Sequence, residues 1–234
     1  MYPSFETIAA YGKNAAMMHY SPEKGSCAVI KKSGMLLIDT GAQSFYGTTD
    51  TTRTLIMGNI SEDERENYTL VLKGNIALAT AVFPENTKSS VIDFAARQFL
   101  WKHNLDYRCG TGHGVGYALC VHEVPPRLSQ AFDGLMKPGM TVTNEPGVYV
   151  AGKYGIRIEN HLCVTQKGES EYGKFLGFEV LNYCPIGTQG LKCELLTTEE
   201  KQWINNYNRL TRKSLCEYLT DEEFSWLEEY TMEV

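Results

Sequence analysis

The stretch from Leu36-Leu37-Ile38-Asp39 to Asp50-Thr51-Thr52-Arg53 decides how this chain folds. It predicts two strands closing on each other: an apolar run ending in Asp39, polar turn residues from Ser44 to Thr48, then a Thr-rich run from Thr49 to Met57. Directly opposed residues of an antiparallel hairpin share one index sum, and pairing Asp39 with Asp50 centres the loop between Ser44 and Phe45. Without a bulge the two aspartates face each other, with Cβ atoms about 5 Å apart. Two ionised carboxylates that close repel, and one protonates unless a cation sits between them. A site for two cations removes the repulsion.

A second stretch repeats the pattern. Val142 to Val148 and Gly155 to Val164 flank Ala151-Gly152-Lys153. A three-residue hairpin loop wants a positive φ, which Gly152 supplies. Glu145 then faces Glu159 as Asp39 faces Asp50. Between the hairpins lies Gly110-Thr111-Gly112-His113-Gly114-Val115-Gly116, a histidine among glycines that let backbone approach closely. Asp39, Asp50, His113, Glu145 and Glu159 make a ligand set for two divalent metals, their four carboxylates balancing the charge of two dications. An oxygen-rich set with one imidazole suits Mn²⁺ best, with Zn²⁺ or Co²⁺ the other candidates. Any one of these carboxylates alone would read as a turn or solvated residue; four in two similar hairpins, beside a Gly-flanked His, would not.

With 234 residues the chain can bury a sizeable core as one domain, and 43% apolar with 21% charged residues is ordinary for a globular protein. A net charge of −6 leaves no basic footprint for nucleic acid. No apolar run approaches the roughly 18 residues of a membrane span. The start, Met1-Tyr2-Pro3-Ser4-Phe5-Glu6, lacks the pattern of a signal peptide. Seven cysteines, odd in number and without a Cys-x-x-Cys pair, predict free thiols in a reducing, cytoplasmic setting.

The chain resembles the metallopeptidases of the pita-bread fold, and within them the aminopeptidase P (Xaa-Pro aminopeptidase) family. The resembling segments are Ile38-Asp39-Thr40-Gly41-Ala42-Gln43, Gly47-Thr48-Thr49-Asp50-Thr51-Thr52-Arg53-Thr54, the His113 loop, Val121-His122-Glu123, Asn144-Glu145-Pro146-Gly147 and Gly155-Ile156-Arg157-Ile158-Glu159-Asn160. The last of these and the long tail look like the cytosolic type. The resemblance implies an α/β (α+β) fold: a curved, mostly antiparallel sheet with helices on its outer face. It implies release of the first residue from peptides with proline second, through a hydroxide bridging two metals. Asp39 is then a ligand of one metal, His113 and Glu145 of the other, and Asp50 and Glu159 bridge both. Glu145 also shuttles a proton, His122 donates to the developing oxyanion, and His19, in a matching Asn-x-Ala-x-x-His-Tyr context, positions substrate near the proline. Without the resemblance, His19 reads as a half-buried strand-end histidine and His122 as a surface residue before a turn at Pro125-Pro126. Arg157 shares a strand face with Glu159 and could hold a ligand carboxylate from behind; the alternative is an ordinary surface arginine. His161 shares that face too but departs from the family's apolar residue, and is read as incidental.

Along the rest of the chain, Phe5 to Tyr11 reads as a strand and Ser21 to Ser26 as a loop. Ser61-x-x-Glu64 is a capping box, opening a helix expected to reach about Val82, with Tyr68, Val71, Leu72 and Leu78 near one face and Pro84 as its stop. A second helix is expected from Ser90 to about His103, a solvated helix-end residue. His113 opens a strand-like run to His122. The nine-residue spacing puts the two on opposite faces, so serving one site requires a turn or bulge. Lys137-Pro138-Gly139 is a tight turn, and Phe178 to Cys184 reads as a last strand. Thr197-x-x-Glu200 opens a helix to about Tyr218, with Trp203, Ile204, Tyr207 and Leu210 inward. Thr220-x-x-Glu223 opens a final one with Phe224, Trp226 and Leu227.

These readings divide the chain into a catalytic domain over residues 1–190 and a helical extension over 191–234, packed on it or dimerising through it. Helices precede the first strand in the resembled family but not here, so an amino-terminal boundary inside a longer chain is expected, with an under-covered outer sheet face and weak activity. The implied partner is a peptide beginning Xaa-Pro, with a homodimer for the whole protein and neither nucleic acid nor membrane. Prolidase and methionine aminopeptidase share the ligand set and remain open, as does a non-catalytic peptide-binding module.

Overall fold

The computed structural model describes residues 1–25 and 27–234. The expected loop Ser21 to Ser26 thus ends at a residue outside the described ones. In chain order the strands are β1 (Tyr2–Pro3), β2 (Ile8–Tyr11), β3 (Met35–Thr40), β4 (Ala42–Ser44), β5 (Gly47–Thr48), β6 (Thr51–Ile56), β7 (Val82–Pro84), β8 (Gly112–Gly114), β9 (Glu123–Leu128), β10 (Thr141–Asn144), β11 (Gly147–Val150), β12 (Tyr154–Arg157), β13 (Asn160–Ser170) and β14 (Gly173–Val180). The helices are α1 (Glu62–Ala79), α2 (Ser89–Trp101), α3 (Thr198–Leu215) and α4 (Asp221–Tyr230). A six-stranded sheet in the order β7-β14-β13-β10-β8-β9 and a three-stranded sheet β2-β3-β6 carry the ligand hairpins, extended by the pair β11-β12 and the three-stranded sheet β1-β4-β5. Every pairing between these strands is antiparallel.

Helices α1 and α2 pack on one face of the six-stranded sheet. Leu78, Ile92 and Ala96 meet Leu128, Val142, Leu162, Val164 and Leu176 in one cluster. A second cluster joins Tyr68, Val71 and Leu72 of α1 to Ile156 and Ile158 and to Ile204 and Tyr207 of α3. Burying each such aliphatic side chain contributes about 1.5–3 kcal/mol, so α1, lying between the two clusters, is the pillar of the fold. The capping boxes form at Ser61/Glu64, Thr197/Glu200 and Thr220/Glu223.

The second hairpin keeps the expected register. Val142 pairs with Leu162, Asn144 with Asn160 and Gly147 with Arg157, closed by Gly152 at φ 74°. The first hairpin does not: Asp39 pairs with Thr52 and Ser44 with Gly47, leaving a two-residue turn at Phe45-Tyr46. Asp50 is therefore two places along from the position opposite Asp39. A slip of two preserves the face, because side chains alternate with period two, so both aspartates still point inward.

Other expectations are corrected. Helix α1 ends at Ala79, and Val82–Pro84 joins the sheet edge as β7, because Phe83 packs on Phe178 with ring centroids 5.4 Å apart. The run from His113 to His122 is not a strand: β8 stops at Gly114 and the chain turns before β9. Pro125 and Pro126 lie within β9, the edge strand, where the missing N–H groups cost no ladder bond. The last strand runs over Gly173–Val180, ahead of Phe178 to Cys184, since residues beyond Val180 leave the ladder to meet Arg53. Leu210 is 40% exposed and so is not the inward residue expected, while Trp226, 55% exposed, stacks on Tyr230. On the outer face of β3 and β6, Ile38 and Leu55 line an apolar groove of about 490 Å³ with Pro185, Trp226 and Tyr230. Among the described residues no helix is long and apolar enough to cross a membrane, and all seven cysteines are free.

Candidate metal centre

Each hairpin breaks its ladder where a carboxylate is needed. Asp39 is next to the end of β3, Asp50 sits in the gap between β5 and β6, Glu145 in the gap between β10 and β11, and Glu159 between β12 and β13. Asn75 of α1 holds the second pair of gaps: its Nδ2 donates to the carbonyls of Asn144 (2.9 Å) and Ile158 (3.0 Å), the residues immediately before the two glutamates. His113 is the middle residue of β8. Gly112 before it is required, since a Cβ there would come within 1.9 Å of the Thr143 carbonyl oxygen.

These residues line one cavity of about 280 Å³, together with His19, His122, Cys109, Tyr149 and Arg157. Within it Asp39, Asp50 and Glu159 each offer an oxygen within 4.8 Å of the others, and a ring nitrogen of His113 lies as close to oxygens of Glu145 and Glu159. The two groups share Glu159. Asp50 reaches towards the second group as well, its Oδ2 lying 3.3 Å from His113 Nε2.

The electrostatics ask for cations. His113 Nδ1 lies 2.8 Å from the Gly114 carbonyl, which fixes the proton there and leaves Nε2 aimed at Asp50 and, at 3.4 Å, at Glu145 Oε1. A bare Nε2 lone pair against two carboxylate oxygens is repulsive unless a proton or a metal lies between. Against burial, which opposes it, those carboxylates raise the His113 pKa. Burial, then repulsion from the neighbouring carboxylates, pushes Glu159 well above the usual carboxylate range; burial likewise raises Glu145 and Asp39. Asp39 Oδ1 is buried with no hydrogen-bond partner. Four acidic groups, one imidazole and an orphaned acceptor fit two divalent, oxygen-preferring ions.

Arg157, 3% exposed, is the hub behind them. Its NH2 pairs with Asp39 Oδ2 at 2.5 Å, its NH1 donates to the Tyr149 hydroxyl (2.9 Å) and its Nε to Thr52 Oγ1 (2.9 Å). Thr52 in turn donates to Glu159 Oε2 at 2.7 Å. Spacing tied Arg157 to Glu159, whereas the tertiary structure gives it Asp39 directly and Glu159 only through Thr52.

The turn after β8 brings His122 back to His113, with ring centroids 4.2 Å apart and edge to face. His122 also falls within 4.8 Å of ligand atoms of Asp50 and His113. Burial and the neighbouring His113 lower its pKa, which favours the neutral imidazole. His19 is exposed at the cavity rim. His161 does not line the cavity; it is buried with Nε2 unpartnered, and burial pulls its pKa to about 4. Sequence reasoning missed Tyr149, Thr52, Cys109 and Asn75. Tyr149 lies an even number of places from Glu145, and Asn75 is a polar residue in an apolar helix stretch; both were findable signals. Nothing in the spacing marks Cys109.

The profile of metallopeptidase family M24 matches residues 1–166, and that of the C-terminal region of peptidase M24 matches residues 174–234. A probable Xaa-Pro aminopeptidase P of Fusarium vanettenii is 52% identical over 211 residues, covering 88% of this chain and 34% of its own length. One of Neurospora crassa is 49% identical, covering 91% and 32%. Among solved structures, an X-prolyl aminopeptidase from Caenorhabditis elegans, described as a cytosolic enzyme with a di-nuclear active site, superposes with TM-score 0.93 at 38% identity, over 99% of this chain and 39% of its own. Prolidase from Pyrococcus furiosus superposes with TM-score 0.65 at 30% identity, over 76% and 49%. The chain thus spans about a third of the length of the curated relatives it matches.

Proposed function

The chain belongs to metallopeptidase family M24, and from that premise we propose that it is the catalytic portion of a dinuclear-metal aminopeptidase that releases the first residue of Xaa-Pro peptides. The observation that carries this reading is the pair of ligand groups sharing Glu159, with His113 Nε2 facing two carboxylates. The substrate class comes from the relatives, which are named Xaa-Pro aminopeptidases.

Asp39, Asp50, His113, Glu145 and Glu159 would hold two divalent ions, Mn²⁺ being the first candidate. When bound, such ions supply Lewis acidity and a water deprotonated near neutral pH. The remaining work falls to the chain's own side chains. Glu145, its Oε1 accepting from Thr143 Oγ1 at 3.0 Å, takes the proton of the attacking water and returns it to the amide nitrogen as the C–N bond breaks. A buried carboxylate with raised proton affinity suits that traffic. Neutral His122 donates its N–H to the oxyanion forming on the scissile carbonyl, an interaction contributing about 2.7–4 kcal/mol in comparable sites. His19, at the rim, contacts substrate beside the proline. Arg157 orients Asp39 directly and Glu159 through Thr52, and its charge favours their ionised forms. Residues 1–190 form the catalytic domain; 191–234 form an extension packed on it, through which a cytoplasmic homodimer assembles.

The test is hydrolysis of an Xaa-Pro-Yaa tripeptide by metal-stripped protein with and without Mn²⁺. Activity restored by Mn²⁺ on the tripeptide and absent on an Xaa-Pro dipeptide is expected; cleavage of the dipeptide alone would make the chain a prolidase.

A further inference from the structure

Arg53 is 6% exposed and no carboxylate lies within ion-pairing distance among the described residues. A buried cation without a counter-ion is costly unless every N–H is used. Here all are. Nε donates to the Pro185 carbonyl (2.9 Å), NH1 to the carbonyls of Thr52 (2.8 Å) and Glu159 (2.5 Å), and NH2 to Asn160 Oδ1 (2.7 Å), the Cys184 carbonyl (2.7 Å) and the Tyr207 hydroxyl (3.0 Å). The planar fork therefore joins three pieces of chain at one point: β6, the gap containing Glu159, and the segment leading to α3.

The consequence falls on Glu159. Its N–H donates to the Thr52 carbonyl at 3.1 Å, and its carbonyl and the side chain of Asn160 are held by Arg53. Both main-chain groups of the shared carboxylate residue are thus anchored to residues 52 and 53, outside any ladder. Arg53 is in turn fixed by Tyr207 of α3, whose hydroxyl also accepts from the Cys184 N–H (3.1 Å) and lies 2.9 Å from its carbonyl. Trp203 stacks flat on the Tyr207 ring at 5.2 Å, so the ring has little freedom.

We propose that Tyr207, acting through Arg53, is a positioning residue for Glu159, so that the carboxy-terminal helices set the geometry of the metal centre some distance away. The proposal rests on the reading of that centre as a two-metal site. It assigns α3 a part in metal binding beyond packing.

Tyr207→Phe removes only the hydroxyl and keeps the stack on Trp203. In the 234-residue chain, Mn²⁺ titrated by calorimetry, together with the electron paramagnetic resonance of the loaded protein, reads the effect without recourse to activity. Expected is at least a tenfold loss of affinity for one of two Mn²⁺ ions, and replacement of the exchange-coupled signal of an ion pair by that of an isolated ion. Asn208→Ala, on the same helix as Tyr207, is the control: it loses the two bonds to the Ile186 main chain (3.1 and 2.9 Å) without touching Arg53, and should lower the melting temperature while leaving both Mn²⁺ affinities intact. Arg53→Lys, which keeps the charge but cannot span the same acceptors, should weaken the ion at least as much as Tyr207→Phe. Unchanged binding in Tyr207→Phe, or equal losses in it and Asn208→Ala, overturns the positioning role while leaving the two-metal reading standing. A parent chain that takes up no Mn²⁺ overturns the two-metal reading and the proposal with it.

Discussion

His113 is touched from two sides, by Asp50 at 3.3 Å and by the ring of His122. The two neighbours should behave differently. Asp50→Ala removes a carboxylate of one ligand group that also reaches His113 of the other, so Mn²⁺ uptake and turnover should both be lost. On the proposed mechanism His122→Ala removes a donor to the transition state, so Mn²⁺ uptake should persist while kcat falls about 10²–10³-fold. Equilibrium dialysis beside initial rates separates the cases; an empty site in His122→Ala would make it a ligand, as its place near Asp50 and His113 permits. Cys109 offers a test of the cavity's dryness. Burial, then the nearby Glu145 carboxylate, pushes its thiol up to about 11. The reactive thiolate therefore accumulates only as pH approaches that value. At pH 8, iodoacetamide should label the exposed Cys120 and Cys216 well before Cys109, with the gap closing as pH rises; mass spectrometry of the peptides reads the order.

At the scale of elements, α1 both builds the core and aims the site. Asn75 offers its two N–H bonds to the carbonyls preceding Glu145 and Glu159, and Asn144 returns one to Asn75 at 2.8 Å. Asn75→Ala removes one donor from each of two buried carbonyls, a loss of about 0.5–1.5 kcal/mol per bond. The melting temperature should fall by roughly 2–4 °C per kcal/mol at this size, measured by calorimetry. A drop no larger than that of a surface alanine would remove Asn75 from the account. Thr197→Ala deletes one side of an exposed capping box and should cost only about 1 kcal/mol. The comparison separates helix capping from the holding of the hairpin gaps.

For the whole molecule, the cluster of buried carboxylates makes stability depend on ions. Without cations, Asp39, Glu145 and Glu159 are held in neutral forms or repel, whereas ions that bind only the folded chain stabilise it by mass action. Chelation should therefore lower the melting temperature, and Mn²⁺ should restore it in proportion to the logarithm of its concentration. Identical melting curves with chelator and with Mn²⁺ would sink the two-metal reading.

What the sequence determined alone was whatever local spacing encodes. The faces of the strands, the glycine turn at Gly152, the three capping boxes and the identity of the clustered residues followed from period, side-chain chemistry and the family resemblance. A two-place error in the first hairpin did no harm, because a strand repeats its face every second residue. Tertiary structure decided what depends on chains far apart in sequence. Arg157 holds Asp39 across 118 positions, Asn75 reaches gaps beyond Asn144 and Ile158, and Arg53 gathers carbonyls from segments 106 and 132 positions away. No periodicity records such bonds. They form because buried donors and acceptors left unpaired cost more than the ordering needed to pair them, and only the folded chain brings those groups within reach.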